Sequence, residues 1–378
     1  MKYVDLKSYI TYVSRGITPK YVNSEGILVI NQRCIRNGQI DFSYARLTSK
    51  QKSYTEAKFL EPGDILINST GTGTLGRIAL FKGNDQKVLA DSHVSIVRIS
   101  QEYDTRFVAH YLYSKEAYIA TLGKGATNQQ ELSKEAIYSI PVPKITVDKQ
   151  SKIAEILSAY DDLIENNQKQ IKLLEEAAMR LYKEWFVNLR FPGYENSKIV
   201  DGVPEGWRLG RVSELAEFKR GKTITKKNAK DGNVPVVAGG LEPAYFHNVA
   251  NTVAPVITIS ASGANAGYTR LYNTDIWASD CSYIDASYGD KLYFIYTFLK
   301  NNKEVIDNLQ RGAAQPHVYA KDINALSTYI PESTIMEPFC NLVAPLFKKI
   351  AVQERLISEL KQARDKLLPK LMSGEIEV

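Results

Sequence analysis

Cysteine and histidine are scarce in this chain of 378 residues, and their scarcity excludes two kinds of stabilising framework. The three cysteines, Cys34, Cys281 and Cys340, stand far apart, and the four histidines show no metal-ligand spacing. Disulfide-rich domains and structural zinc sites need such residues at short, paired spacings. We therefore expect neither a disulfide framework nor a bound metal.

Long apolar runs are also missing. The first residues, MKYVDLKSYI, lack the apolar stretch of a signal peptide, and no segment approaches the ~20 apolar residues of a membrane span. The sequence therefore predicts a soluble, cytoplasmic protein with no membrane partner.

Recognisable catalytic residue sets are absent as well. The chain has no Asn/Asp-Pro-Pro-Tyr/Phe motif of an amino-methyltransferase, no Ser/His/Asp or Cys/His set and no paired-carboxylate nuclease core. Glu56 and Lys58 have the E-x-K spacing of some nucleases, but no suitable acidic partner accompanies them. We expect no catalytic residue in this chain.

The segment Gly71–Gly76 matches G-x-G-x-x-G, the dinucleotide-binding pattern. That motif requires a helix next, so that the pyrophosphate meets a helix N-terminus. Here RIALF follows, which is typical of a strand, and Arg77-Ile78 replaces the Lys-Ser/Thr of a P-loop. The sequence predicts a glycine-rich β-turn and no nucleotide cofactor.

The most regular pattern present is a heptad repeat between Asp148 and Phe186, where apolar residues alternate at steps of four and three without Gly or Pro. The pattern recurs 186 residues later, with a lapse at Arg364 and with Pro345 expected to kink or delay the helix. We predict two long helices that pair antiparallel along this seam. The seam residues are Ile153, Leu157, Ile164, Asn167, Ile171, Leu174 and Leu181 in the first helix and Ile350, Gln353, Ile357, Leu360 and Leu367 in the second.

Asn167 and Gln353 are polar residues at equivalent places near the middle of the two seams. In an antiparallel pair the mid-points of the helices meet, so we hypothesise that the two amides hydrogen-bond. A buried polar residue in a seam fixes register at some loss of stability.

The repeat extends beyond the helices. GTGTLGRIALF is echoed by SGANAGYTRLY, ADSHVSIVRI by ASDCSYIDA, and an aromatic helix over 105–122 by another over 291–309. The order is therefore domain, helix, domain, helix. We predict an α+β protein with a mixed α/β domain over 1–147, a helix over 148–190, a second such domain over 191–334, and a helix with a C-terminal tail over 335–378.

Basic and amide side chains recur at matched places in the two domains. The net charge of +6 permits a polyanionic partner without requiring one. Lysine and arginine contact phosphates, amides read adenine edges, and small residues at a turn let the backbone approach closely. The candidate DNA-binding residues are Arg15, Lys20, Tyr21, Thr70, Thr72, Thr74, Arg77, Ser92, His93, Lys124, Asn128 and Gln129 in the first domain. Those in the second domain are Arg220, Lys222, Thr223, Lys226, Ser262, Asn265, Arg270, Arg311, Gln315 and His317.

This layout resembles the specificity subunit of a type I restriction–modification system. The resemblance rests on YSIPVPK leading into the first helix, on VPEGWRLGRVSELAEFKRGK opening the second domain and on the ending KQARDKLLPKLMSGEIEV. It implies that each domain is a target recognition domain that reads half of a bipartite DNA site, while the helices set the gap and dock two modification (methyltransferase) subunits.

The resemblance also implies that this chain is non-catalytic. S-adenosylmethionine, ATP and Mg would then be used by the partner modification and restriction (translocase and nuclease) subunits. Two other interpretations stay open from the residues alone: a coiled-coil adaptor that binds proteins and no DNA, and a nuclease or NTPase in its own right.

Overall fold

The computed structural model describes residues 2–125, 130–200, 202–312 and 316–378. The chain divides into two compact units, and neither is continuous in sequence. Unit 1 comprises Met1–Glu165 with Ser358–Val378, and unit 2 comprises Asn166–Ile357. Each long helix therefore contributes one part to unit 1 and the other part to unit 2.

Unit 1 contains a four-stranded antiparallel sheet and a four-stranded mixed sheet. The strands of the antiparallel sheet, in spatial order, are Ile10–Arg15, Val94–Ile99, Ile65–Asn68 and Ile78–Leu80. Those of the mixed sheet are Val88–Ala90, Gly26–Ile30, Arg46–Ser49 and Tyr21–Val22. Two short pairs complete the unit: Tyr3–Asp5 with Pro141–Pro143, and Ile35–Arg36 with Gln39–Ile40.

Unit 2 repeats this plan. Its four-stranded antiparallel sheet has the spatial order Lys219–Arg220, Cys281–Ile284, Val256–Ser260 and Thr269–Tyr272. A three-stranded sheet has the order Tyr245–His247, Val234–Val237 and Trp277–Ala278, with its last pair parallel. The short pairs are Arg208–Arg211 with Ser327–Ile330 and Ile199–Val200 with Val203–Pro204.

One central strand of the antiparallel sheet in unit 1, Ile65–Asn68, packs apolar side chains on both faces. In Ile65–Asn68, Ile65 and Ile67 pack in the cluster that holds Phe107, whereas Leu66 packs in the cluster that holds Val88. Successive side chains of a strand point to opposite faces, so both faces must be covered. In the sequence, this arrangement appears as the apolar run ILI within GDILIN.

The two aromatic helices predicted over 105–122 and 291–309 are each interrupted, so the prediction of single helices was wrong. Helices Thr105–Tyr113 and Glu116–Thr121 replace the first. The break follows Ser114, whose hydroxyl donates to the Tyr111 carbonyl at 2.6 Å and so ends the helix.

The second helix is interrupted in the same way. Lys291–Asn301 is followed by Lys303–Asp307. The Asn302 side chain donates to the Phe298 carbonyl at 2.9 Å, beside the Asn302 backbone amide, which donates to the same carbonyl at 3.0 Å. Further short helices are Lys134–Tyr138, Val212–Leu215 and Ala320–Asn324.

The two long helices are Val147–Tyr182, which continues as a π-helical turn Lys183–Val187, and Ser333–Ser373. The prediction that Pro345 delays the second helix was wrong, because this helix begins twelve residues earlier. Most predicted seam residues lie buried or half-buried along the helices; fully buried among them are Ile153, Leu157, Ile164, Asn167, Ile350 and Gln353.

Within unit 2 the helices run antiparallel. Gln353 Nε2 donates to Gln170 Oε1 at 2.5 Å, and Tyr182 and Trp185, further along the first helix, contact Phe339, which is earlier in the second. The partner that the structure gives to Gln353 is thus Gln170, one helical turn beyond the expected Asn167. Asn167 is itself buried and is not without an interaction partner.

Candidate nucleic-acid interface

Arg15 ends the first strand of the antiparallel sheet in unit 1, directly before Gly16. The Gly16 amide donates to the Val94 carbonyl at 2.9 Å, and the next amide, of Ile17, donates to the Ala90 carbonyl at 2.8 Å. A Cβ at position 16 would lie 2.1 Å from that Ala90 oxygen. Glycine is therefore required for the backbone to come this close, and the approach fixes where Arg15 leaves the sheet.

The Arg15 guanidinium is held in place by three acceptors. Nη1 donates to the Ser92 carbonyl at 2.9 Å, and Nη2 donates to Glu131 Oε1 at 2.5 Å and to the Leu132 carbonyl at 3.1 Å. About a quarter of the Arg15 side chain remains exposed. A partly exposed, oriented guanidinium is a suitable donor for a phosphate or a base edge.

His93 and Thr70 lie beside this arginine. Thr70 Oγ1 and His93 Nδ1 are 2.5 Å apart, and the exposed His93 is oriented by its amide, which donates to Asp91 Oδ1 at 2.8 Å. Burial raises the pKa of Asp91, although the His93 amide and the His93 ring lower it. The Tyr21 hydroxyl donates to Asp91 Oδ2 at 3.4 Å. The Arg46 guanidinium lies over the Tyr21 ring, 3.5 Å from its centroid.

The glycine-rich segment forms a turn that leads into the strand Ile78–Leu80, as the sequence predicted. Gly71, Gly73 and Gly76 have φ values of +104°, +74° and +83°, which residues with a Cβ rarely adopt. Arg77 Nη2 donates back to the Gly73 carbonyl at 2.9 Å, so Arg77 closes the turn. Thr72, at the tip, is exposed.

Lys124 lies on a loop that the fold brings to the same edge. Its backbone exchanges two hydrogen bonds with Glu131, and Thr70 also forms a β-bridge with Glu131. Arg15, Thr70 and Lys124 therefore converge on Glu131. The candidates Asn128 and Gln129 lie outside the described residues.

Unit 2 builds the same arrangement around Arg220. The Gly221 amide donates to the Cys281 carbonyl at 2.8 Å and the Lys222 amide to the Ala278 carbonyl at 2.9 Å, which are the bonds made by Gly16 and Ile17. A Cβ at Gly221 would lie 2.3 Å from the Ser279 carbonyl oxygen. The shared geometry follows a shared sequence, R-G-x-T, at 15–18 and 220–223.

Asp280 replaces His93 at the centre of the second cluster. Its carboxylate forms an ion pair with Arg220 and accepts a hydrogen bond from the Ser262 hydroxyl. Ser262 forms a β-bridge with His317, as Thr70 does with Glu131. The two clusters thus share a backbone frame and differ in the groups that they present.

The loop from Arg311 to His317 completes the second cluster. The two residues exchange backbone hydrogen bonds at 2.9 Å, and the His317 ring stacks on Tyr319 with 5.9 Å between ring centroids. Arg311 Nη2 donates to Asp322 Oδ1 at 2.8 Å and stays largely exposed. The candidate Gln315 lies outside the described residues.

The remaining candidates lie nearby or elsewhere in their units. Lys20, Lys222, Thr223 and Lys226 are exposed, whereas Ser92, Thr74 and Asn265 are half-buried. Arg270 does not join the Arg220 cluster through any hydrogen bond or ion pair that the structure gives. It donates to the Leu241 carbonyl at 2.6 Å and lines a cavity of about 340 Å³ with Glu175 and Glu354.

Glu131 and Asp280 were not among the candidates, although they hold the two arginines. No sequence signal indicates Glu131, because 116 residues separate it from Arg15. Asp280 had a usable signal, since it aligns with His93 in the repeat.

Within the described residues, no group of three or more His, Cys, Asp or Glu side chains is arranged to hold a metal ion. No helix in the same part of the chain is long and apolar enough to cross a membrane.

Residues 7–176 and 204–362 match the type I restriction modification DNA specificity domain. The chain belongs to this family. The two matched segments correspond to the two copies of the internal repeat, so the repeat is a duplication of the specificity domain.

Similar members of the specificity family cover most of this chain. The chain is 30% identical over 304 residues to the type I restriction enzyme MjaIX specificity subunit of Methanocaldococcus jannaschii, covering 72% of this chain and 70% of that protein. It is 22% identical to the HindI specificity subunit of Haemophilus influenzae, covering 98% of this chain and 100% of that protein.

The fold of the chain is similar to that of the type I restriction-modification S subunit from M. genitalium. The TM-score is 0.60 at 18% sequence identity, with 98% of this chain and 95% of that chain covered. The predicted fold class, with two repeated mixed α/β domains and two long helices, is confirmed.

Proposed function

We propose that this chain is the DNA-reading subunit of a type I restriction–modification complex. Each specificity domain reads one half of a bipartite DNA site, and the two long helices set the gap and dock two modification subunits. The observation that carries the proposal is the duplicated cluster, in which Arg15 and Arg220 leave equivalent sheet edges beside exposed polar loops.

The two halves of the DNA site differ under this proposal. Unit 1 presents His93 and Thr70 beside its arginine, whereas unit 2 presents Asp280 and Ser262. Histidine and threonine can donate or accept at a base edge, while a carboxylate accepts, as from the amino group of cytosine. The shared arginines fix position, and the neighbouring side chains differ in what they can read.

The helices have a suitable length for a spacer. The first long helix has 36 residues and is therefore about 54 Å long at ~1.5 Å per residue. One turn of DNA is ~34–36 Å, so such a helix can reach between half-sites in successive turns.

The chain itself is proposed to be non-catalytic. Adenine methylation with S-adenosylmethionine belongs to the modification subunits, and ATP- and Mg-dependent translocation and cleavage belong to restriction subunits. The contribution of this chain is to select the DNA site and to hold its partners there.

The direct test is co-expression of this chain with a cognate modification subunit, followed by mapping of adenine methylation across the host genome. The expected result is one two-part motif with a fixed gap. A soluble, associated complex that adds no methylation would overturn the DNA-reading role.

Paired variants sharpen this test. Arg15→Ala and Arg220→Ala should each reduce methylation at the motif by about fivefold to a hundredfold, since one bidentate or charge-assisted contact contributes ~1–3 kcal/mol. Lys87→Ala, at an exposed ion pair with Glu56 away from the long helices and the candidate residues, serves as a control expected to leave methylation unchanged. Equal methylation at the motif by all three variants would contradict the proposal that the two arginines contact DNA.

A further inference from the structure

A buried polar cluster joins the second long helix to the rest of unit 1. Arg364 Nη1 donates to Asp161 Oδ1 at 2.6 Å, and His110 Nδ1 lies 3.7 Å from Asp161 Oδ2. The Arg364 guanidinium also lies 5.2 Å from the centroid of the Tyr113 ring, and only 9% of its side chain is exposed. Asp161 belongs to the first long helix and Arg364 to the second.

The equivalent place in unit 2 is apolar. The 186-residue repeat relates His110 to Tyr296, Asp161 to Phe347 and Arg364 to Ala178.

The contacts in unit 2 agree with this equivalence. The rings of Tyr296 and Phe347 meet edge to face with 5.6 Å between centroids, just as His110 meets Asp161. Phe347 and Ala178 are both fully buried members of one apolar cluster. A charged pair in one unit is thus replaced by a large and a small apolar residue in the other.

We propose that these two residue sets form a pairing code. They make a pair of the two different long helices more stable than a pair of two identical ones. In the observed pairing, Asp161 meets Arg364 while Phe347 shares its cluster with Ala178. If two first helices paired through the same seam, Asp161 would face Ala178 and lose its guanidinium. If two second helices paired, Arg364 would face Phe347.

In a pair of second helices, the buried Arg364 would keep only Asp365 of its own helix as a carboxylate partner. In a pair of first helices, the half-buried Asp161 would lose its guanidinium. Removing one partner from such a charged pair is unfavourable. A twofold pair of identical helices would contain that fault twice. The seams alone do not provide this discrimination, because both copies carry nearly the same apolar heptads and can interdigitate with either partner.

The consequence is an assembly that always contains one domain of each kind. Pairing of identical copies would bring together two identical domains. The code acts on helix pairing alone and does not depend on whether the domains read DNA.

The test starts from the full chain carrying a protease site after Glu195, in an exposed segment between the copies. The folded protein is cleaved, unfolded in urea and refolded, and native mass spectrometry counts the mixed and identical fragment pairs. Random pairing gives a 1:2:1 distribution, in which mixed and identical pairs are equally abundant. The ratio of mixed to identical pairs should exceed that random value at least tenfold. A random distribution would overturn the proposal.

Relocating the arginine should reverse the preference. Ala178→Arg combined with Arg364→Ala puts the guanidinium on the same helix as Asp161, so identical pairs should rise at least tenfold. Arg364→Ala alone is the matched control, because it removes the guanidinium without creating a new partner and should not favour identical first-copy pairs. An unchanged distribution in the double variant would contradict the code.

The uncleaved chain gives a second measurement where refolding of the fragments fails. Asp161→Arg and Arg364→Asp should each lower the urea midpoint of unfolding, and the two together should recover most of that loss. If the urea midpoint of the double variant did not recover, residues 161 and 364 would not recognise each other by charge, and the proposal would fail.

Discussion

Arg364 occupies a seam position that the heptad pattern reserves for an apolar residue, and the structure shows why it is there. Its guanidinium is paired with Asp161 and Asp365, and it covers the Tyr113 ring. A buried charge is tolerated when it is paired and hydrogen-bonded. The lapse in the sequence pattern is therefore a specific contact of unit 1.

His110 should make the stability of the protein depend on pH. Burial lowers the pKa of His110 below its usual 6.5, although the Asp161 carboxylate raises it. The unfolded chain then binds a proton that the folded chain does not, so the free energy of unfolding falls as the pH drops from 6.5 towards the folded pKa. The loss is at most ~1.4 kcal/mol per pH unit.

Chemical denaturation at pH 7.5, 6.5 and 5.5 measures this dependence. His110→Asn, which does not titrate, should have a flatter profile over that range. Identical profiles for the two proteins would contradict a buried, neutral His110.

Gly16 and Gly221 should not tolerate a methyl group. Alanine at either place puts Cβ 2.1 or 2.3 Å from a backbone carbonyl oxygen, and the sheet edge must move to accept it. We expect a loss of ~1–3 kcal/mol in the free energy of unfolding, as for other overpacked sites. Gly240→Ala is the control, since its Cβ would approach only the Glu242 backbone, at 3.3 Å.

At the scale of elements, the second long helix runs unbroken through three prolines. Pro338, Pro345 and Pro369 are all exposed, as are the residues four positions before them. Proline removes the N–H that would bond each of those carbonyls, but water can take its place on the exposed face. The expected delay of the helix does not occur, because all three prolines lie on its exposed face.

Gln353→Leu should stabilise the helix pair. Gln353 is 2% exposed, and its Oε1 has no hydrogen-bond partner among the described residues, while its Nε2 bonds the half-buried Gln170. An unpaired buried acceptor costs ~1–3 kcal/mol, so leucine should raise the free energy of unfolding by about 1 kcal/mol. Gln353→Ala is the control, since it removes the amide and leaves a cavity.

Urea denaturation of the two variants distinguishes the causes. The leucine variant should have a higher free energy of unfolding than the unmodified protein, and the alanine variant a lower one than the leucine variant. A loss of several kcal/mol with leucine would mean that the Gln353 amide is essential to the pair. The hypothesis that Asn167 and Gln353 hydrogen-bond is tested by adding Asn167→Leu to the leucine variant.

At the scale of the whole molecule, the structural units do not follow the order of the chain. Each is composed of one copy's globular part with portions of both long helices. The domain boundaries expected from the sequence, at 147, 190 and 334, remain predictions about functional segments.

Helix length should control the gap in the DNA site. Deleting the facing heptads 165–171 and 352–358 removes about 10 Å from each helix at ~1.5 Å per residue. At ~3.4 Å per base pair, the gap between half-sites should shorten by about three base pairs. Methylation mapping measures the gap.

Duplicating the same two heptads is the matched control, and it should lengthen the gap by a similar amount. A gap that stays constant in both variants, with methylation retained, would contradict a ruler formed by the helices.

The duplication, the heptad seams, the strand-rich domains and the family can be recognised without the structure, because periodicity and local order along the chain encode them. Tertiary structure alone decided which side chains meet. Arg15 with Glu131 and Asp161 with Arg364 are separated by 116 and 203 residues. No periodic pattern encodes such pairs, since their contact depends on how strands, loops and helices pack, and the two clusters and the pairing code became visible only there.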